Sequence, residues 1–227
     1  MSGRTWDSQE HADLALYGGT PEMRVKHGRA PTLESPLLLD PVRSLRDAEG
    51  LRQFLAHPAV MIEIGFGKGR FLRQLASGFP AANVVGIEVK TKYARIALDR
   101  LARAGTSNCR VVIGDARLVL SQYVAPASVD AVFLMFPDPW WKARHFRRRL
   151  LDAAFLPVLE SVLKPGGTVL VRSDVPMVLQ LAREAFQGSA VFGEADVCAF
   201  DEWMTDREVA CRGRGIPVEQ ACFRHRE

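Results

Sequence analysis

From Val60 onward the apolar residues of this chain switch repeatedly between two spacings. Short unbroken apolar runs alternate with stretches in which apolar side chains recur every three or four residues. A short unbroken run reads as a strand covered on both faces, and the wider spacing as one face of a helix. Val60–Ile64 is such a run, ending at glycines, and Phe71, Leu72 and Leu75 follow at helical spacing. Asn83–Val89 predicts a second strand. Tyr93, Ile96, Ala97 and Leu101 predict a helix that stops near Gly105. Arg110–Ile113 and Val129–Phe136 read as the third and fourth strands. Helical spacing returns between Leu150 and Leu163, where Pro157 must open a second helical piece or kink the first. Lys164-Pro165-Gly166-Gly167 reads as a turn, Thr168–Arg172 as a fifth strand and Met177–Phe186 as a last helix. Strands alternating with helices require crossovers between parallel neighbours. The expected fold is therefore α/β, a doubly wound and mostly parallel sheet. Val191–Phe200 and Val218–Phe223 predict an antiparallel hairpin closing one edge near the C-terminus.

Residues 1–44 lack this patterning and read as an extended or partly disordered arm, with basic residues at Arg24, Lys26, His27 and Arg29. The sheet domain is expected over 45–227, opening with a helix over Leu45–Leu55 that Ser44 would cap. With 227 residues, 48% hydrophobic and 25% charged, the chain can bury a core without a metal or disulfide staple. The four cysteines, Cys109, Cys198, Cys211 and Cys222, form no C-x-x-C pair, so reduced thiols and no metal site are expected. No apolar stretch is long enough to span a membrane, and the first residues do not read as a secretory signal. A cytoplasmic protein is the expectation, as monomer or homodimer. The net charge is only +4, yet Lys142–Arg149 reads KARHFRRR. Such a run is either a solvated helix start or a phosphate-facing patch.

Glu63-Ile64-Gly65-Phe66-Gly67-Lys68-Gly69 joins the first strand to its helix. Glycines there let bare backbone approach a ligand, and the helix start offers free N–H groups. The spacing is not the G-x-G-x-x-G of dinucleotide binders. Glu88 ends the second strand, where a carboxylate accepts hydrogen bonds from a ribose diol. Asp115-Ala116 follows the third strand, where an acceptor meets an adenine amino group. Each carboxylate alone reads equally as a helix cap, but the set beside a glycine loop points to a nucleoside cofactor. Glu63 beside the loop points away from NAD. It suits a ligand with an α-ammonium and a sulfonium, which is S-adenosyl-L-methionine.

The segments EIGFGKG, GIEVK, NCRVVIGDA and FPDPWWKARHFRRR, within residues 58–175, resemble the tRNA (guanine-N7)-methyltransferase family. The resemblance implies a Rossmann-like class I methyltransferase fold with S-adenosyl-L-methionine as methyl donor. It implies cofactor contacts from Glu63, Gly65, Gly67, Gly69, Glu88, Asp115 and Ala116, and a central role for Asp138 at the end of the fourth strand. Pro137 and Pro139 stiffen the backbone around Asp138. Guanine N7 carries a lone pair and no proton, so its methylation needs orientation and charge stabilisation rather than a base. A fixed carboxylate serves both. Trp140 and Trp141 could stack on a base. Lys142, Arg144 and the Arg147–Arg149 run would hold phosphates. Asp174 matches the Asp of the family's Thr-Asp pair and would contact substrate or cap the following helix. The family's tail carries Thr-x-aromatic-Glu; here Thr205 and Glu208 remain, with Arg207 at the aromatic position. Three readings stay open: guanine-N7 methylation of tRNA, methylation of a small aromatic heterocycle, and a non-catalytic RNA-binding protein. The basic run favours the first and the altered tail the second.

Overall fold

The computed structural model describes residues 35–138, 151, 154–196, 200 and 202–226. In chain order the elements are β1 (Leu38–Leu39), α1 (Leu45–Leu55), β2 (Val60–Ile64), α2 (Arg70–Gly78), β3 (Asn83–Glu88), α3 (Thr91–Arg103), β4 (Cys109–Ile113) and α4 (Ala116–Tyr123). There follow β5 (Val129–Met135), α5 (Leu156–Val162), β6 (Leu163–Ser173), α6 (Pro176–Gln187), β7 (Phe192–Ala195), α7 (Asp206–Gly213) and β8 (Glu219–His225). They build one eight-stranded sheet in the order β1-β4-β3-β2-β5-β6-β8-β7. The first six strands in that order are parallel, while β8 is antiparallel to β6 and to β7. The sheet is doubly wound: from β2 the chain first steps outward through β3 to β4, then returns to β5 on the other side. Chain direction across the sheet therefore reverses between β2 and β5, and the crevice beyond their carboxyl ends is where such folds bind ligands.

Alternation along the strands sorts the side chains onto two faces. Val60, Ile62, Ile64, Val132, Leu134, Val169 and Val171 join one fully buried cluster with Leu51 of α1, Val119 of α4, Leu159 of α5 and Leu179 of α6. Residues between them in sequence point the other way. There Phe133 of β5 meets Phe71 of α2 at 5.4 Å and Phe200 at 5.1 Å, and Phe200 lies 5.5 Å from Trp203. Gly69 sits at a left-handed φ of 73°, and a Cβ there would stand 2.6 Å from the Ala97 Cβ. Only glycine both turns the chain there and lets α2 approach α3 so closely.

Two expectations change, and Pro157 takes the first of the two roles expected of it. Leu38–Leu39, grouped with the arm, pairs with β4 at the sheet edge, and Leu37 is buried; residues 1–34 lie outside the described residues. Pro157 occupies the first turn of α5, where its missing N–H costs nothing, so it starts a helix rather than kinking one. Lys164–Gly167 is not a turn before a strand. It lies within β6, where Leu163 pairs with Val129 but Thr168 pairs with Ala131, so the segment bulges out of the ladder. The hairpin expected at the C-terminal edge forms as β7 and β8, and α7 sits between them in sequence.

Candidate active site

Glu63 is the next-to-last residue of β2, flanked in the sheet by Gly86 of β3 and Phe133 of β5. Its side chain points to the α2 face and is fully buried, and neither carboxylate oxygen has a hydrogen-bond partner. Burial, reinforced by the nearby charge of Glu88, pushes its pKa up to about 8. A buried polar group without a partner is costly, and a ligand that donates to it recovers that cost.

The glycine loop begins two residues further on. Gly65, Gly67 and Gly69 all have left-handed φ values, of 72°, 55° and 73°. A Cβ built on Gly65 or Gly67 would meet nothing within 4 Å, so bare backbone borders open space. The Gly67 N–H donates to Glu88 Oε2 at 3.1 Å, and the Lys90 N–H donates to Glu88 Oε1 at 3.0 Å. Glu88 is therefore held beside the loop by two backbone donors, at the end of β3. Asp115 caps α4, its Oδ1 accepting from the Arg117 N–H at 2.8 Å, with Ala116 buried behind it. The helix-cap reading of Asp115 is thus realised, and its side chain is exposed just beyond β4. Val89, expected to end the second strand, lies one residue beyond it, 62% exposed next to Glu88.

Asp138 lies across the switch point, three residues beyond β5, and is exposed. The chain reaches it through Phe136, which has a left-handed φ of 54°, with its N–H donating to the Arg172 carbonyl at 2.7 Å. Tyr93, in the first turn of α3, has its pKa raised by burial and then by the charges of Glu88 and Asp138. Tyr93 thus feels the negative charge of both Glu88 and Asp138. The sequence reading placed Tyr93 only on a helix face.

The tail residues are engaged with protein. Thr205 caps α7 by accepting from the Glu208 N–H at 3.0 Å. Glu208 is buried: its Oε2 accepts from Arg172 Nη1 at 2.8 Å and its Oε1 from Arg212 Nη2 at 2.7 Å. Asp174 accepts from both Nε (2.9 Å) and Nη2 (2.8 Å) of Arg207 and does not cap α6, whose first free N–H groups find no side chain. Asp174, Thr205 and Glu208 thus stand at the carboxyl side of β6 as a bonded group. Lys142 and Arg144, with Trp140, Trp141 and the Arg147–Arg149 run, lie outside the described residues. Among the described residues no cluster of three His, Cys, Asp or Glu side chains is placed to hold a metal.

The arrangement matches known proteins in sequence and in fold. Residues 57–210 match the family described as "Putative methyltransferase". A tRNA (guanine-N(7)-)-methyltransferase of Myxococcus xanthus is 36% identical over 70% of this chain and 80% of its own length. One of Anaeromyxobacter dehalogenans is 40% identical over 69% of this chain and 81% of its own. One of Thermus thermophilus is 38% identical, with 43% of its length covered. Among solved structures, the 16S rRNA methyltransferase KamB superposes with a TM-score of 0.58 at 16% identity, covering 81% of this chain and 94% of its own. TrmN from Thermus thermophilus does so with a TM-score of 0.55 at 17% identity, covering 82% of this chain and 49% of its own. The structural matches establish the fold, and the sequence matches settle the rest: this chain belongs to the tRNA (guanine-N7)-methyltransferase family.

Proposed function

We propose that the protein methylates N7 of a guanine in tRNA, using S-adenosyl-L-methionine and residing in the cytoplasm. The observation that carries the cofactor is Glu63, a buried carboxyl with two unpartnered oxygens beside an open glycine loop. A cationic amino-acid end suits that position, and Glu88 and Asp115 stand where ribose and adenine polar groups would need acceptors. When bound, S-adenosyl-L-methionine supplies an electrophilic methyl group on a sulfonium.

The chain's own residues do the remaining work. Asp138 orients the guanine by accepting from its Watson–Crick edge, and its negative charge offsets the positive charge growing on the purine. No side chain has to remove a proton from the attacking nitrogen. Asp174, Thr205 and Glu208 shape the substrate side through their partners on α7 and β6. Lys142, Arg144 and the arginines after them hold phosphates, positioning the RNA without reading its sequence. The relatives named for tRNA weigh against the small heterocycle. Nucleoside mass spectrometry of tRNA from a deletion strain tests the proposal. 7-Methylguanosine should vanish and return with a plasmid copy of the gene; a plasmid-independent, unchanged level speaks against it.

A further inference from the structure

The first turn of α7 places three charged residues in a row, and each engages a different part of the fold. Asp206 accepts from Arg70, at the start of α2, and from Arg100 of α3, at 3.2 and 2.6 Å. Glu208 accepts from Arg172 of β6 and from Arg212 of its own helix. These two already dock the helix on both sides. Arg207, between them, reaches elsewhere. Its guanidinium forms a two-pronged pair with Asp174, the side chains being only 14% and 10% exposed, and stands 5.8 Å from the centre of the Phe136 ring.

Phe136 is the residue on which the approach to Asp138 turns. Its left-handed φ of 54° is rare for a bulky side chain and persists only where surroundings enforce it. Here the Arg172 carbonyl holds its N–H, while the Arg207 guanidinium faces its ring, itself fixed by Asp174. Pro137, two residues before Pro139, passes that constraint on with little slack. We propose that Arg207, clamped by Asp174, is a positioning residue that locks the Phe136 turn and thereby aims the Asp138 carboxylate into the cleft. The proposal rests on the reading of Asp138 as the group that meets the guanine. It makes Arg207 a functional part of this chain's tail rather than a docking contact.

The test is a double-mutant cycle read by single-turnover methyl transfer to tRNA, with cofactor affinity measured by calorimetry. Arg207→Leu should slow transfer about 10–100-fold, the scale of a misplaced catalytic group, with cofactor affinity and tRNA KM little changed. The double variant Arg207→Leu/Asp138→Asn should then be little slower than Asp138→Asn alone, because a carboxylate already misaimed has little left to lose. Arg207→Lys keeps the charge and loses the planar fork, so it should be intermediate in rate with the fold intact by thermal melting. Multiplying losses in the double variant, a normal rate in Arg207→Lys, or a defect confined to KM would each overturn the proposal. A normal rate in Asp138→Asn would overturn the underlying reading of Asp138 as well, so the two failures are told apart.

Discussion

Binding of the cofactor should expel a proton, and Glu63 sets how many. Burial first, then the charge of Glu88, raises its pKa to about 8. Without ligand, about 0.9 of the Glu63 carboxyls are therefore protonated at pH 7. A cation placed against the side chain favours the ionised form and drives that proton into solvent. Calorimetric titration with S-adenosyl-L-methionine in phosphate and in Tris, at equal pH, reads the proton count from the dependence of observed enthalpy on buffer ionisation enthalpy. At pH 7, where the ligand's α-amino group is still mostly charged, the release should approach about 0.9 proton per chain, and it should shrink as pH rises and Glu63 ionises in the free protein. Apparent affinity should rise with pH toward about 8, because the bound state carries fewer protons than the free state, and fall above it as the ligand's α-amino group loses its charge. The neighbouring Cys109 thiol and Tyr93 phenol are both pushed upward, so they stay protonated through this range and add nothing. Glu63→Gln should bind more weakly and release no proton. Equal proton release in wild type and Glu63→Gln, or none in wild type, would rule out Glu63 as the source of the proton.

Other consequences follow from the same geometry. Glu88→Ala removes the acceptor held by Gly67 and Lys90 and should weaken cofactor binding by roughly 1–3 kcal/mol, measured by calorimetry. Arg172→Met leaves the buried Glu208 carboxylate with Arg212 alone and frees the Phe200 and Trp203 carbonyls, so chemical denaturation should show a loss of about 1–3 kcal/mol. Replacing Arg147, Arg148 and Arg149 with Ala should weaken RNA binding and flatten its salt dependence, with cofactor affinity unchanged. An unaltered salt slope would return that run to the status of a solvated helix start.

The parallel half of the sheet was legible because each strand is a compact apolar run bounded by glycine or a helical pattern. Val60–Ile64 is β2 residue for residue, and β3, β4 and β5 differ from the reading by one residue at an end. The glycine loop and its carboxylates were legible as types, since the topology places them at consecutive strand ends. Their present partners were not. Nothing local distinguishes Glu88, held by Gly67 and Lys90, from Glu63, which has no partner at all. The α7 segment was illegible for a different reason. Its sequence, DREVACRG, buries little apolar surface, and its place is set by ion pairs to Arg70, Arg100, Arg172 and Asp174, far away in the chain. Long-range charge pairing leaves no periodic trace. Arg207 at the aromatic position therefore pointed to a different substrate, where the structure pairs it with Asp174. Lys164-Pro165-Gly166-Gly167 misled in turn because turn residues also make bulges, and only the register against Val129 and Ala131 separates the two.

The central claim is the identity of the atom that receives the methyl group. Purified protein, unmodified tRNA transcript and S-adenosyl-L-methionine carrying an isotopically labelled methyl should be incubated together, and the RNA digested to nucleosides for mass spectrometry. The label is expected in 7-methylguanosine alone, abundant with the wild-type protein and reduced about 10²–10³-fold in initial rate with Asp138→Asn, the range for losing one preorganised electrostatic group. Label in a nucleoside methylated on an exocyclic amine, or no label in RNA while the cofactor binds normally, would contradict that claim.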